Sequence, residues 1–436
     1  MKKVICIVSV IVLLFLVLGS CGTEKKDNKE NKPTLTIWYL PTGNNQLTQI
    51  VSNATRVFKE IYDVEVVYYP EPTSDMMKTE NGEAMYYQKL NTEIMSGKGP
   101  DLFMMGASSF VEFDIYKKMD SGMYLDINEL INKDKGFSLD DYESTIMDVG
   151  VYKEKRYAIP INYSMPLLIT TKDKMDECGI IGDDFTEYER FIDTFLRLQG
   201  TYRNSRTHYT RTYSDLFIRY GWNQECMDFE TGEIDLGSSL LRKSMDLYRN
   251  EFSEVMNLSD SPNREEGYYD DLLILSINLY EQAVQFELLK ESIDNIEVFT
   301  IPNNYGKATV NVTNYCMLSS SSEKKDLAWN YLKLILSEDF QKNQIIKTRE
   351  SIGVRRDSFD EGFNNAIKEV IGHGRISDEW REKLKNVYRT ADNAVFVNNP
   401  AGHQVLIAMS DFTDNNCSYE EAKSYAESYL KIWLSE

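Results

Sequence analysis

The sequence contains few of the residue patterns that enzymes use for catalysis. Its three histidines, His208, His373 and His403, are scattered without an H-E-x-x-H spacing, so a zinc site is not expected. No G-x-S-x-G nucleophile elbow occurs. Gly97 and Gly99 lack the third glycine of a phosphate-binding loop and precede a strand rather than a helix. We therefore predict no catalytic residue, no metal site and no cofactor.

Positive charge is also in short supply. The chain has 48 lysines and arginines against 69 aspartates and glutamates, which gives a formal net charge of −21. This balance argues against a nucleic-acid partner, because phosphates require a basic protein face. The acidic stretch from Glu225 to Asp235 is interpreted as a solvated surface, with a pair of glycosidase carboxylates as the alternative.

Cysteine is sparse, with six residues and no C-x-x-C spacing. Two of them, Cys6 and Cys21, belong to the N-terminal segment. The four others are Cys178, Cys226, Cys316 and Cys417. Two disulfides among these four allow three pairings, between which the sequence does not choose. Unpaired, buried cysteines are the more common outcome in a chain of this length, and we expect them here.

A long hydrophobic run occurs at the N-terminus. Lys2 and Lys3 precede the apolar segment Val4–Leu18, which is short for a hydrocarbon core that needs about 20 residues. The sequence LGSC at 18–21 is similar to the lipobox of bacterial lipoproteins, which implies a lipid on Cys21. We predict a signal peptide at 1–20, then the lipidated cysteine and a flexible tether at 21–33, because 22–33 is wholly polar. An uncleaved transmembrane anchor is the alternative.

The stretch from Tyr86 to Phe110 predicts one step of an open α/β sheet. Its first half has apolar residues at helical spacing, and Gly97, Gly99 and Pro100 end that helix. Asp101–Met105 then has the length and apolar character of a strand that is buried on both faces. Ligands bind beyond the carboxyl ends of such strands, so the turn at 106–109 is a candidate site.

Strands and helices alternate before this unit. Leu35–Tyr39 and Val64–Tyr69 are predicted strands, and an amphipathic helix from Leu47 to Ile61 separates them. Alternation of this kind indicates an α/β fold with parallel strands and right-handed crossovers.

Four segments make the chain resemble the maltose-binding-like solute-binding proteins of bacterial ABC importers. They are SGKGPD at 96–101, AIP at 158–160, DLAWNYLKLILSEDFQ at 326–341 and SIGVR at 351–355. The resemblance implies a two-lobed, type II periplasmic-binding-protein-like fold. Each lobe would be a mainly parallel sheet flanked by helices, and three crossing segments would join them. Lobe 1 would comprise 34–159 plus 312–352, and lobe 2 would comprise 160–311 plus 353–436.

The same resemblance implies a function without catalysis. A lipid-anchored monomer on the extracytoplasmic face of the cell membrane would capture a solute, such as a sugar or oligosaccharide, between its lobes and deliver it to ABC permease subunits. The bilayer contact would be made through acylated Cys21. The alternatives are a binding protein for another small polar solute, or a secreted carbohydrate-active enzyme or adhesin.

Aromatic residues are plentiful, with 28 tyrosines and 5 tryptophans. A sugar site needs aromatic platforms for stacking and amides or hydroxyls that hydrogen-bond to the ligand. From their positions beside predicted strand ends, in a polar loop, or at points of resemblance, we name as ligand-binding candidates Tyr39, Asn44, Ser108, Ser109, Asn162, Tyr163, Trp222, Tyr280, Asn314 and Tyr315. For each aromatic residue the alternative is ordinary core packing.

Overall fold

A computed structural model describes most of the chain after the N-terminal segment. The described residues are 32–40, 45–79, 81–106, 115–202, 226–227, 231–256, 274–276, 278–288, 295–303, 306–345, 351–371, 378–396, 400–414 and 416–435. No helix among these residues has the length and apolarity needed to cross a membrane. The predicted signal peptide lies outside them, as does the tether apart from its last two residues.

The described strands are β1 (Thr34–Trp38), β2 (Glu65–Tyr68), β3 (Leu102–Gly106), β4 (Val151–Tyr152), β5 (Lys155–Arg156), β6 (Ala158–Ser164), β7 (Leu167–Thr171), β8 (Ile274–Ser276), β9 (Ile296–Thr300), β10 (Thr309–Leu318), β11 (Ile352–Gly353) and β12 (Asn393–Phe396).

The described α-helices are α1 (Asn45–Ile61), α2 (Ser74–Met77), α3 (Gly82–Met95), α4 (Ile115–Asp120), α5 (Asn128–Ile131), α6 (Ser144–Met147), α7 (Lys172–Cys178), α8 (Tyr188–Tyr202), α9 (Ser239–Met256), α10 (Leu279–Leu288), α11 (Lys325–Leu336), α12 (Glu338–Asn343), α13 (Phe359–Ile371), α14 (Asp378–Tyr388), α15 (Pro400–Ala408), α16 (Ser410–Thr413) and α17 (Tyr419–Ser435).

The unit predicted between Tyr86 and Phe110 is confirmed as far as Gly106. Helix α3 ends at Met95, and Gly97 follows in the left-handed conformation with φ of 72°. Gly99 is needed for a different reason, since a Cβ there would lie 2.8 Å from the Cα of Ile94. Strand β3 then begins at Leu102 and is buried along its whole length.

A seven-stranded sheet contains most of the strands. Its order is β11-β6-β10-β3-β1-β2, and β12 also pairs with β10. Strands β1, β2 and β3 are parallel, as predicted, whereas β10 runs antiparallel to both β3 and β6. All ten residues of β10 are buried, because this strand is central in the sheet.

The second sheet corrects one prediction. It was expected to be mainly parallel, but β7 pairs antiparallel with both β8 and β9 in the described three-stranded sheet. Burial on both faces gives a strand the same apolar pattern whichever direction it runs, so the pattern does not reveal the direction. Strand β8 covers Ile274–Ser276, and α10 begins at Leu279.

Buried hydrophobic side chains form two cores, and β7 contributes to both. Leu167 and Ile169 belong to the first core, which surrounds the seven-stranded sheet and reaches Tyr388 of α14. Leu168 belongs to the second core, which lies among α7, α8, α9, α15 and α17. Alternate residues of a strand point to opposite faces, so this one strand is the boundary between the cores.

None of the four cysteines that the structure describes after the N-terminal segment forms a disulfide. Cys178, Cys226 and Cys316 are buried, and Cys417 is partly exposed. Burial raises the pKa of the Cys316 thiol well above its usual value, so this thiol is inert at neutral pH.

Candidate functional site

The candidate site begins where β3 ends. Because β10 is antiparallel to β3, Asn314 lies directly beside Gly106, the last residue of β3. Asn162 of β6 is paired with Asn314 on the other side. A Cβ on Gly106 would lie 3.0 Å from Oδ1 of Asn314 and 3.2 Å from Cδ2 of Leu47, so glycine permits this close approach.

Four buried polar side chains form a closed hydrogen-bonded ring at this point. Nδ2 of Asn314 donates to Oε1 of Gln46 at 2.8 Å and to Oδ1 of Asn162 at 2.9 Å. The hydroxyl of Ser351 accepts from Nδ2 of Asn162 at 2.6 Å and from Nε2 of Gln46 at 2.7 Å. This amide ring therefore joins the first turn of α1 to β6, to β10 and to the residue that precedes β11.

An irregularity in β10 provides one more ring contact. The β6–β10 register shifts on both sides of Asn314. Such a bulge turns the neighbouring residues out of strict alternation. Thr313 can thus donate from its hydroxyl to Oδ1 of Asn162 at 2.9 Å, although it is adjacent to Asn314 in the sequence.

Tyr163 lies on the opposite face of β6 from Asn162. Its side chain is only 2% exposed and lines a pocket of about 160 Å³ that also includes Tyr388 and Phe359. Glu143 and Arg356, which form an ion pair at 3.4 Å, belong to the same wall. Burial, and secondarily the charge of Glu143, raises the pKa of Tyr163 well above its usual value, so its hydroxyl stays protonated.

Tyr315 is also buried and is directed away from the amide ring. Its ring packs against Phe396 with 4.3 Å between centroids, which brings the end of β12 beside β10. Burial raises the pKa of its phenol.

Tyr280 is the most exposed of the described candidates, with 45% of its surface accessible. It lies in the first turn of α10, where Oδ1 of Asn278 accepts from the main-chain nitrogen of Glu281 at 2.9 Å. Two residues further on, buried Gln282 donates to the carbonyl of Met165 at 2.6 Å and accepts from the hydroxyl of Tyr388 at 3.0 Å. These bonds fix the start of α10 beside the link from β6 to β7.

Tyr39 directly follows β1 and is half-buried. Its ring makes an edge-to-face contact with Tyr68, with 5.2 Å between centroids. Burial raises the pKa of Tyr39, with smaller contributions from Tyr68 and Glu71. Its hydroxyl is therefore a neutral hydrogen-bonding group.

The structure brings Asn162 and Asn314 together, and it places Tyr163 and Tyr315 beside them on other faces of the same strands. The remaining candidates Asn44, Ser108, Ser109 and Trp222, and Cys21, lie outside the described residues. Sequence reasoning did not identify Gln46, Ser351 or Gln282. No local signal marks these three residues, because their partners are distant in the sequence.

The described candidates are uncharged, and their chemistry is that of binding. Phenols offer hydrogen bonds and aromatic faces to a neutral polar ligand, whereas the amides of Asn162 and Asn314 are already bonded within the ring. No group of histidine, cysteine, aspartate or glutamate that could hold a metal occurs among the described residues.

Comparison of the sequence with protein-family profiles identifies a family. Residues 54–368 match the family profile described as "Bacterial extracellular solute-binding protein". No curated protein matches the chain in sequence.

Solved structures match over nearly the whole chain. The sugar-binding protein MalE of Xanthomonas citri aligns with a TM-score of 0.60 and 14% identity, over 92% of this chain and 97% of its own. A solute-binding protein of Thermotoga lettingae bound to α-D-tagatose has a TM-score of 0.54 and 16% identity, over 92% of this chain and 100% of its own. A binding protein of B. animalis subsp. lactis in complex with β-1,6-galactobiose has a TM-score of 0.53 and 14% identity, over 93% of this chain and 98% of its own. At these identities the likeness establishes a shared α/β fold.

Proposed function

The chain belongs to the bacterial extracellular solute-binding protein family, and from this premise we propose that it captures a sugar or oligosaccharide for an ABC importer. Members of this family bind solutes outside the cytoplasm and do not catalyse a reaction. The ligand would enter and leave with all of its bonds unchanged.

We propose that the chain forms two lobes, 34–159 plus 312–352 and 160–311 plus 353–436. The observation that carries this proposal is the way in which β6 leads into β7. Only Met165 and Pro166 separate the seven-stranded sheet from the three-stranded sheet. Strands β10 and β11 lie side by side with β6 and would be the second and third crossings. A short bundle of adjacent crossings is a suitable hinge, and ligand would shift the lobes from open to closed.

The ligand class rests on the chemistry of the candidate residues. Tyr280 offers an exposed ring at the start of a helix, and Tyr39 offers a partly exposed, neutral phenol directly after β1. Stacking aromatics and neutral hydroxyls suit sugar rings and their hydroxyls better than they suit charged solutes. The structural relatives from Thermotoga lettingae and B. animalis, which were solved with tagatose and galactobiose, support the same class.

A lipid on Cys21 would hold the protein at the outer face of the cell membrane. The tether at 21–33 would give the two lobes freedom to reach the permease subunits. Two acyl chains anchor far more firmly than a single chain, which binds only marginally.

A binding experiment with Tyr280→Ala tests the proposal. The wild-type protein is screened for thermal stabilisation by a carbohydrate panel, and the affinity for the best ligand is measured by calorimetry. Truncation of an aromatic residue that the bound ligand covers costs about 2 kcal/mol or more of binding free energy. Tyr280→Ala is therefore expected to weaken binding about thirtyfold. The melting temperature of the empty variant should change little, because Tyr280 is 45% exposed.

The matched control is Tyr425→Ala. Tyr425 is 66% exposed on α17 and is not a site candidate, so its loss should leave the affinity unchanged. Equal affinity of Tyr280→Ala and wild type would remove Tyr280 from the site. Stabilisation by no carbohydrate, or conversion of the sugar to product, would refute the sugar-binding proposal.

A further inference from the structure

One lysine joins two helices that belong to different hydrophobic cores. The ammonium group of Lys117, on α4, donates a hydrogen bond to the main-chain oxygen of Trp433 on α17. The same Nζ lies 4.5 Å from the centroid of the Trp433 ring. One cation thus makes two kinds of contact with one residue that is 316 positions away.

The two helices are fixed to different parts of the molecule. Ile115 and Met119 of α4 are buried in the first core, which surrounds the seven-stranded sheet. Ala426 and Leu430 of α17 are buried in the second core, and Trp433 packs against that core. The contact therefore spans from one core to the other.

Both contacts have a clear physical basis. Trp433 lies in the last turn of α17, which ends at Ser435, and carbonyls of the last turn lack a partner within the helix. A positive charge is stabilised at this end of a helix by the macrodipole. The indole face attracts the same ammonium group through its quadrupole.

The position of α4 relates this contact to the ligand. Its first residue, Ile115, follows Gly106 by nine positions, so α4 is reached from the carboxyl end of β3. Helix α17 is in turn fixed to α15, since the hydroxyl of Tyr429 donates to Oε1 of Gln404 at 2.9 Å. The Lys117–Trp433 contact thus connects the element that follows the candidate site to the helices of the second core.

We propose that Lys117 and Trp433 form a clasp that positions the lobes for ligand capture by stabilising their closed arrangement. The proposal rests on the two-lobed binding function given above. Breaking the clasp removes a favourable interaction from the closed form while leaving each core intact. The closed population of the empty protein therefore falls, and ligand affinity falls with it.

Distance measurements in the empty protein test the clasp directly. Spin labels are attached at Lys59→Cys on α1 and Ser424→Cys on α17, both exposed positions, in a Cys417→Ser background. Double electron–electron resonance then gives the distribution of distances between the two labels, with and without the best sugar. Lys117→Met is expected to lower the ratio of closed to open molecules about five- to thirtyfold, from the combined loss of both contacts.

Substitutions of Lys117 and Trp433 should shift the ratio of closed to open molecules by different amounts. Trp433→Leu removes the ring but keeps the main-chain oxygen, so it should cause a smaller shift than Lys117→Met. Lys117→Arg keeps a cation that can donate to the carbonyl and stack on the indole, so it should largely restore the wild-type distribution. The matched control is Lys383→Met. The Nζ of Lys383 also lies 4.5 Å from a tryptophan ring centroid, that of Trp380, and donates to a main-chain oxygen, that of Ile296, but both contacts lie within one proposed lobe.

Two results would overturn the clasp. One is a Lys117→Met distribution identical to that of wild type, with or without a lower melting temperature. The other is an equal shift in Lys383→Met. If no sugar changes the wild-type distances while Lys117→Met still shifts the empty distribution, the clasp stands and the sugar-binding proposal fails.

Discussion

Replacing Asn314 tests whether the amide ring is a structural unit of the hinge. Asn314 is 1% exposed, and its Nδ2 donates one hydrogen bond to Gln46 and one to Asn162. Alanine removes both donors. Aspartate keeps the shape but places an acceptor where a donor is required, opposite Oε1 of Gln46 and Oδ1 of Asn162.

The expected loss in the free energy of unfolding depends on the hydrogen bonds that remain in each variant. In Asn314→Ala, Oδ1 of Asn162 still accepts from Thr313 and Gln46 still donates to Ser351, so the variant loses the two bonds that Nδ2 of Asn314 donates. Loss of a buried hydrogen-bond partner costs about 1–3 kcal/mol, and we expect about 2–4 kcal/mol in all. Asn314→Asp should be less stable than Asn314→Ala at pH 7, because its buried carboxylate faces two oxygens without a donor.

The aspartate variant also predicts a pH dependence. Burial among acceptors raises the folded-state pKa of the new carboxyl above its unfolded value of about 4. The folded variant then binds more protons than the unfolded chain, so its stability relative to wild type declines as pH rises above about 4. The deficit should be larger at pH 7 than at pH 5.

Urea denaturation at both pH values measures these differences, each relative to wild type at the same pH. Asn416→Ala and Asn416→Asp are matched controls, since Asn416 is exposed, and they should change the free energy of unfolding little. Asn314→Asp that is as stable as wild type at pH 7, or whose deficit is the same at both pH values, would refute the role assigned to the ring.

Two further predictions concern the N-terminus and one surface carboxylate. Cys21→Ser, expressed from the full gene in a bacterial host, should move the protein from the membrane fraction to the soluble fraction, and equal membrane association of both forms would favour an uncleaved anchor. Asp134 accepts from Nζ of Lys333 at 2.6 Å and from Nε1 of Trp329 at 2.9 Å, and these bonds lower its pKa to about 2. Its stabilising contribution is therefore complete above about pH 4 and is lost as pH falls towards 2. The stability difference between wild type and Asp134→Asn in urea should shrink over that range, and a constant difference would contradict the assignment.

Local signals predicted local structure well. The end of α3 at Met95 followed from Gly97, because a left-handed residue after a helix needs glycine. The parallel arrangement of β1, β2 and β3 followed from alternation of strands and helices. The antiparallel direction of β8 beside β7 could not be predicted in this way, because the apolar pattern of a strand that is covered on both faces is the same in either direction.

The candidate site was only partly accessible to sequence reasoning. Asn162 and Asn314 were named as ligand contacts, and the structure places both in the amide ring with Gln46 and Ser351. Gln46 and Ser351 are 305 residues apart, and no spacing rule links residues at such a distance. Whether the ring also contacts ligand stays a prediction.

The central position of β10 constrains the order in which the chain can fold. Strand β10 lies between β3 and β6 in the sheet, and it is synthesised about 200 residues after β3. At typical rates of about 5–20 residues per second, the ribosome needs about 10–40 s to reach it. Until then β3, a fully buried apolar strand, keeps an open edge that can pair with other chains. The seven-stranded sheet therefore cannot be completed until most of the chain has been synthesised.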